Sequence, residues 1–281
     1  MARTQRKPRR KRRDDGPNQA QRADKYRCYQ RAVQQPEHEA WFLDQVYRRA
    51  YGRSARVLRE DFCGTFAICC AWVQGGKDRR ALGVDLDPEP LEWGIRHNLS
   101  RLDEAQRGRV ELVKDDVRRV AGPKADIVAA ENFSYWIFKT RSELRGYFQA
   151  ARANLAAKGV LVLDILGGPE SMVEDHREIR RHRGFRYIWE QARLDPITHD
   201  YTCHIHFHFD DGSEMNRAFT YRWRFWTLPE VRELLLEAGF RRVDVYWEDV
   251  DHRTGNGRDT YRVRANAGND PAWITYIAAF K

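Results

Sequence analysis

The feature that most constrains this chain is the way its apolar period changes, repeatedly, between residues 56 and 166. Short apolar runs at Arg56–Glu60, Ala81–Asp85, Val110–Lys114, Ile127–Glu131 and Gly159–Leu166 read as strands, and helically spaced stretches at Phe66–Gln74, Pro88–Leu102 and Ser142–Ala157 lie between them. Parallel neighbours need a long crossover, and an amphipathic helix supplies one. The expected fold class is therefore α/β, a doubly wound and mainly parallel sheet with right-handed crossovers.

The segments on either side have a different character. Gln19 to Gly52 is helical, with Tyr26, Tyr29 and Val33 at three- and four-residue spacing. Pro36 breaks the run, and Trp41, Phe42, Gln45 and Val46 open a second helix that Gly52 ends. After Gly168 longer strands are expected at Phe185–Arg193, Tyr201–Phe209 and Glu214–Trp226, with Asp210-Asp211-Gly212-Ser213 as a hairpin turn. A helix from Pro229 to Ala238 and strands at Arg242–Trp247 and Trp273–Phe280 close the chain. These divisions predict a basic tail over 1–18, capping helices over 19–54 and one domain over 55–281. An antiparallel insertion occupies about 169–226, between the fifth and sixth strands.

Charge is misleading until it is divided. Eight of the 50 Lys/Arg fall in residues 3–13, which hold no acid, so the remainder carries 42 basic against 41 acidic residues. The tail is expected to be disordered and to contact nucleic acid or another polyanion without reading its sequence, while the body is nearly neutral. No apolar run approaches the ~20 residues of a membrane-spanning helix, and no apolar segment follows the basic stretch, so neither a membrane nor a secretory signal is expected. Five cysteines without Cys-x-x-Cys spacing argue for a reduced, cytoplasmic protein without a disulfide framework or a zinc knuckle.

Chemistry concentrates where strands end. Arg59-Glu60-Asp61-Phe62-Cys63-Gly64-Thr65 runs from a strand into a helix, presenting backbone N–H groups to a ligand, with Gly64 allowing close approach. Asp85 ends the next strand, where a carboxylate meets ribose hydroxyls in folds of this kind. Lys114-Asp115-Asp116-Val117 and Glu131-Asn132-Phe133-Ser134-Tyr135-Trp136 end two more, and all four loops lie at the carboxyl edge of the sheet. Taken singly, Asp85 also reads as a helix cap and Asp115-Asp116 as a solvated turn; the order and spacing of the four join them into one cofactor site.

This spacing resembles the class I S-adenosylmethionine-dependent methyltransferases over residues from about 55 to 281. More narrowly, the Arg59–Thr65 string with Asn132–Trp136 resembles a bacterial subfamily of these enzymes. The resemblance implies a Rossmann-like methyltransferase fold and S-adenosylmethionine as cofactor. The cofactor site it implies is Glu60, Phe62, Cys63, Gly64, Thr65, Asp85, Leu86, Asp116, Val117 and Asn132, with the ribose at Asp85, the adenine beside Leu86, and Asp116-Val117 at the adenine edge. Asn132 and Tyr135 are the expected substrate-positioning residues. One departure stands out: where the family has three alternate glycines, this chain has Phe62, Gly64 and Phe66. A nicotinamide dinucleotide needs those glycines beside its pyrophosphate, whereas S-adenosylmethionine has no phosphate.

The implied reaction is methylation of a small molecule at nitrogen or oxygen. An RNA methyltransferase using the tail, or a binder that has lost catalysis, are the alternatives. Asn132-Phe133-Ser134-Tyr135 lacks the double proline used on nucleic-acid amino groups. His204, His206 and His208 alternate with Cys203, Ile205, Phe207 and Phe209, which places three imidazoles on one strand face. No metal is expected there, because methyl transfer from a sulfonium needs none; the face reads as the polar outside of an amphipathic strand. Arg217, Arg222 and Arg224, interleaved with Tyr221, Trp223 and Trp226, read either as a seat for an acidic substrate or as salt-bridged surface.

Overall fold

The computed structural model describes residues 16–250 and 257–281; the expected basic tail at 3–13 lies outside them. The elements run in chain order as α1 (Gln19–Arg22), α2 (Lys25–Val33), α3 (Pro36–Tyr51), β1 (Val57–Asp61), α4 (Ala67–Gln74), β2 (Arg80–Asp85), α5 (Pro88–His97), α6 (Glu104–Arg107), β3 (Val110–Lys114), β4 (Ala125–Ala130), α7 (Arg141–Asn154) and β5 (Leu155–Gly167). Then come β6 (His176–His182), β7 (Phe185–Leu194), β8 (Asp200–Phe209), β9 (Glu214–Arg224), α8 (Leu228–Glu237), β10 (Arg242–Val250), β11 (Gly257–Val263) and β12 (Trp273–Phe280).

Among the described residues the main sheet has the order β11-β10-β12-β5-β4-β1-β2-β3. The strands β3, β2, β1, β4 and β5 are mutually parallel, and β12 enters antiparallel between β5 and β10. Strand order reverses beside β1, and the crevice at such a switch point is where ligands bind in open α/β sheets. One face packs α3, α4 and α5 against Leu58, Ile127, Ala129, Val160 and Val162. The other packs α7 and α8 against Val128, Ala130, Leu161 and Leu163. Neighbouring residues on these fully buried strands thus serve opposite cores, which explains their unbroken apolar runs.

The insertion is a separate antiparallel sheet, β6-β7-β8-β9. Phe185, Tyr187, Ile205, Phe207 and Phe209 face α2, which contributes Cys28, Tyr29, Ala32 and Val33. The helix α1 clasps the predicted hairpin: the Gln19 amide donates to Asp211 Oδ2 at 2.8 Å and the Ala20 amide to Ser213 Oγ at 3.0 Å. From the other side of α2, Trp93 Nε1 on α5 donates to Asp24 Oδ2 at 2.6 Å. The N-terminal helices therefore strap the insertion to the parallel sheet across its carboxyl edge.

Several boundaries differ from expectation for identifiable reasons. Helix α7 stops at Asn154 and β5 begins at once, because Leu155 pairs with Ala125 before a register shift lets Val160 pair with Ile127. Strand β6 escapes the apolar pattern because it is a charged outer strand, His-Arg-Glu-Ile-Arg-Arg-His, paired on one side only. Strand β11 is likewise an edge strand. The three histidines do share a face of β8, but it is not a solvated one. His204 and His206 are buried, His204 bonded to Thr220 and His206 held between Asn216 Oδ1 and Glu190 Oε2. The five cysteines are free and buried, and no helix among the described residues is long and apolar enough to cross a membrane.

Phe62 and Phe66 stand at φ 58° and 46°, where glycine is favoured. Neither ring enters the turn. Phe62 packs on Phe138 and Tyr147, on the α7 face, with centroids at 6.0 and 5.5 Å. Phe66 is fully buried in the opposite core. Room for it comes from Gly94 on α5, where a Cβ would lie 2.5 Å from Phe66 Cε1 and 2.5 Å from the Thr65 carbonyl oxygen. The glycine lost from the turn reappears on the facing helix. Gly94→Ala is expected to cost ~1–3 kcal/mol through overpacking, read as a lower urea midpoint at unchanged m; a midpoint equal to wild type would show that the ring is free to move.

Candidate functional site

Three turns at the carboxyl edge are held by strand carboxylates that accept from backbone amides. Glu60 Oε2 accepts from the Cys69 amide at 3.0 Å. Cys69 lies in the first turn of α4, whose N-cap residue Phe66 makes no side-chain cap, so the acid of β1 caps this helix across space. Asp85 Oδ2 accepts from the Gly64 amide at 2.7 Å and Oδ1 from the Asp87 amide at 2.9 Å. Asp164, inside β5, accepts from the successive amides of Asn132 and Phe133 at 2.8 and 2.9 Å. Those two residues stand at φ 56° and 57°, so their N–H groups form a small anion-binding concavity that an internal carboxylate fills. Four non-glycine residues in left-handed conformation thus line two adjacent loops, a concentration of strain typical of functional sites.

The expected cofactor residues come together at this edge. Gly64, at φ +52°, has nothing within 4 Å of the place a Cβ would occupy, so the inside of the turn is open. Asp85 sits beneath it, and Leu86 is 65% exposed, an apolar side chain displayed at the rim. Val117 is buried, and Asp116 is paired with Arg118 at 2.6 Å. Cys63 is buried with Sγ against Gly83, and Thr65 is pinned, its hydroxyl accepting from Gln30 Nε2 of α2 at 2.9 Å and its carbonyl from Asn98 Nδ2 at 2.8 Å. Asn132 is half-buried, its backbone bound to Asp164.

Tyr135 is a correction. Its ring is fully buried in the α7-side core, and its hydroxyl donates to the Asp164 carbonyl at 3.0 Å. It therefore has no free group to orient a substrate, because the short 3-10 turn after Phe133 rotates it into the core. Arg59 and Asp61, beside Glu60 but on the opposite strand face, form a buried ion pair at 2.6 Å. Arg59 also donates to the Val117 and Val120 carbonyls, tying the β3–β4 connection to β1.

A residue missed in the sequence joins the site from α3. Glu39 is 9% exposed, and Phe42, one turn further along, packs on Tyr276 of β12 with centroids 4.3 Å apart. Tyr276 pairs with Asp164, Leu163 with Ala130, and Glu60 with Ala129. Strand alternation therefore places Glu60, Glu131 and Asp164 on the α3 face of the sheet together. Glu131 Oε1 and Glu39 Oε2 are shielded from solvent without any hydrogen-bond partner. Among the described residues, no Lys or Arg pairs with any of these four acids.

Burial is the main cause that raises all four carboxyls. Glu60 is pushed up to about 8 and Asp164 to about 7, each opposed by its backbone donors. Glu39 is raised by burial with Asp164 and Glu37 adding to it, and Glu131 by burial with Glu39, Asp164 and Glu60. Asp126, at the opposite edge, goes the other way. Burial would raise it too, but the Arg56 and Val57 amides, the Tyr47 hydroxyl and Arg53 outweigh that and lower it. Glu39, Glu60 and Asp164 have backbone donors but, among the described residues, no Arg or Tyr hydroxyl on their carboxyls, and Glu131 has none, so burial prevails and holds all four above the ordinary range.

The aromatic side of the site comes from the insertion. Trp223 lies 6.1 Å from Phe133 and 5.9 Å from Trp136, and Tyr221 stacks on Trp223 at 4.3 Å. Strand alternation turns Tyr221 and Trp223 inward, leaving Arg224 to pair with Glu230. The expected basic and aromatic strand is thus divided between two faces.

Comparison with solved structures places the architecture. An S-adenosylmethionine-dependent methyltransferase from Clostridium acetobutylicum superposes with a TM-score of 0.64 at 15% identity, over 90% of this chain and 96% of that one. The amino pentose methyltransferase of Micromonospora echinaspora involved in calicheamicin biosynthesis, solved with S-adenosylmethionine bound, gives 0.63 at 20% identity over 91% and 95%. A sugar N-methyltransferase from Streptoalloteichus gives 0.59 at 17% identity over 92% and 93%. No family model and no curated protein sequence matches the chain. The fold is that of the class I S-adenosylmethionine-dependent methyltransferases.

A carboxyl whose pKa is higher in the folded than in the unfolded chain stabilises fully below the unfolded value, and that stability is lost as pH rises through the folded value. For Glu60 and Asp164 the window runs from the ordinary 4.5 and 3.8 up to about 8 and about 7. The ligand-free protein is expected to lose at least ~3 °C in Tm between pH 6 and 8.5, since ~1 kcal/mol moves a domain of this size by ~2–4 °C. Glu131→Gln should reduce that loss. A flat Tm across this range, by calorimetry, would show that the edge is not short of donors.

Proposed function

We propose that this chain is an S-adenosylmethionine-dependent methyltransferase acting on a small molecule at nitrogen or oxygen. The observation that carries the reading is the turn at Gly64, open on its inner side and held by Asp85. It stands at the switch point of a sheet whose solved neighbours are methyltransferases of sugars and glycopeptides. The residues fit the cofactor. S-adenosylmethionine needs no phosphate cradle where Phe62 and Phe66 replace glycine, and Asp85 stands at the open turn to meet its ribose.

In this reading Asp85 accepts from the ribose hydroxyls with the lone pairs that the Gly64 and Asp87 amides leave free. Leu86 covers one face of the adenine, and Asp116 with Val117 borders its edge. Asn132 and Phe133, held by Asp164, fix the loop beside the reacting centre, and α2 caps the turn through Gln30. When bound, the cofactor supplies an electrophilic methyl group. The chain's own task is to align a nucleophile with it and to exclude water, which the aromatic wall of Phe133, Tyr221 and Trp223 does. The near-neutral charge of the body outside residues 3–13 favours a small acceptor over RNA.

Asp85→Ala should weaken S-adenosylhomocysteine binding by at least ~10-fold, because it removes charge-assisted bonds worth ~1.5–3 kcal/mol each. Gly64→Val should do the same by filling the turn. Calorimetric titration giving wild-type affinity in a folded Asp85→Ala protein would sink the cofactor assignment.

A further inference from the structure

Two of the four buried acids keep an unused oxygen once the turns are held, although Glu39 Oε1 accepts from the Gln35 amide at 3.3 Å. Glu60 spends its charge on the amide of Cys69, and Asp164 on those of Asn132 and Phe133. Glu131 Oε1 and Glu39 Oε2 have no partner, although the residues are only 7% and 9% exposed. A buried acceptor without a donor is costly, and a chain retains one where a ligand supplies the donor.

Their surroundings indicate which ligand. Glu131 directly precedes the loop of Asn132 and Phe133, so it lies where the acceptor would meet the methyl group. Phe133, two residues after Glu131, packs on Trp223, which stacks on Tyr221, and Phe42, one turn after Glu39, packs on Tyr276. Carboxylates beside aromatic faces select an organic cation over a neutral alcohol or an acid.

We propose that Glu39 and Glu131 form an ammonium-binding subsite for the methyl acceptor, so that the substrate is a primary or secondary amine. This rests on the methyltransferase reading and narrows it from nitrogen or oxygen to nitrogen. The chemistry balances with these groups alone. An arriving ammonium gives one proton to the carboxylate pair, and its freed lone pair forms the N–C bond. The C–S bond breaks with its electron pair on sulfur, and the methylated nitrogen carries the positive charge away. Carboxyls raised toward neutrality are suited to take that proton.

The test uses full-length protein loaded with S-adenosylhomocysteine and two matched pairs of probes, D-glucosamine with D-glucose and cyclohexylamine with cyclohexanol. Binding is read by tryptophan fluorescence, and S-adenosylhomocysteine affinity is measured separately. At least one amine should bind ~10-fold or more tightly than its alcohol, and Glu39→Gln and Glu131→Gln should each erase that preference. Both variants should bind S-adenosylhomocysteine like wild type and melt no lower at pH 8, because glutamine keeps the shape without the buried charge. Equal binding of amine and alcohol, or no binding of either amine, overturns the subsite. So does a ~10-fold loss of cofactor affinity in either variant, which would give the pair to the methionine ammonium instead. Wild-type protein that fails to bind S-adenosylhomocysteine at all overturns the methyltransferase reading itself, a result distinct from each of these.

Discussion

Carboxylates accepting from backbone amides set the geometry of this protein at both ends of its parallel sheet. A parallel strand ends in a loop whose first N–H groups have no ladder partner, and something must satisfy them. At the amino edge Asp126 does so for Arg56 and Val57 and is itself supported by Tyr47 and Arg53. At the carboxyl edge Glu60, Asp85 and Asp164 do the same for the α4 N-terminus, the Gly64 turn and the loop after β4. The difference is in supply: one edge has donors to spare, and the other is short of them by at least two. That shortage holds the carboxyls of this edge above their ordinary range.

The replacement of motif glycines by Phe62 and Phe66 belongs to the same logic. Left-handed backbone is costly for a phenylalanine, on the order of 1–3 kcal/mol each, and burying an aromatic ring offsets it. The two rings leave the turn in opposite directions, one into each core. The turn is thereby anchored on both sides of the sheet while its inner surface, at Gly64, stays clear. A glycine-rich turn would be free but loose; this one is held by the packing behind it.

The N-terminal helices and the insertion depend on each other in turn. Helix α2 has one side against Phe185, Ile205 and Phe207 and another joined to Thr65 through Gln30. A shift in either partner is therefore felt at the Gly64 turn. Glu39 reaches the site only because α3 follows on the same strap, with Phe42 fixed against Tyr276.

Much of this was legible in the sequence. Alternating periods dictate the βαβ core, because buried parallel strands must be apolar on both faces and their crossovers amphipathic. Gly-Thr after an acidic strand end, and Asp85 after the next strand, mark the site through local chemistry that needs no partner. Other features depend on residues far apart in the chain. Tyr135 reads as a site residue by its position in the loop, yet a 3-10 turn rotates it into the core. Phe66 reads only as a departure from the family's glycines until Gly94, 28 residues later, is seen to make room for its ring. Glu39 carries no motif at all. It becomes part of the candidate site because helix packing removes it from water on the same face as Glu131 and Asp164, and desolvation, which no sequence pattern encodes, raises its carboxyl above the ordinary range.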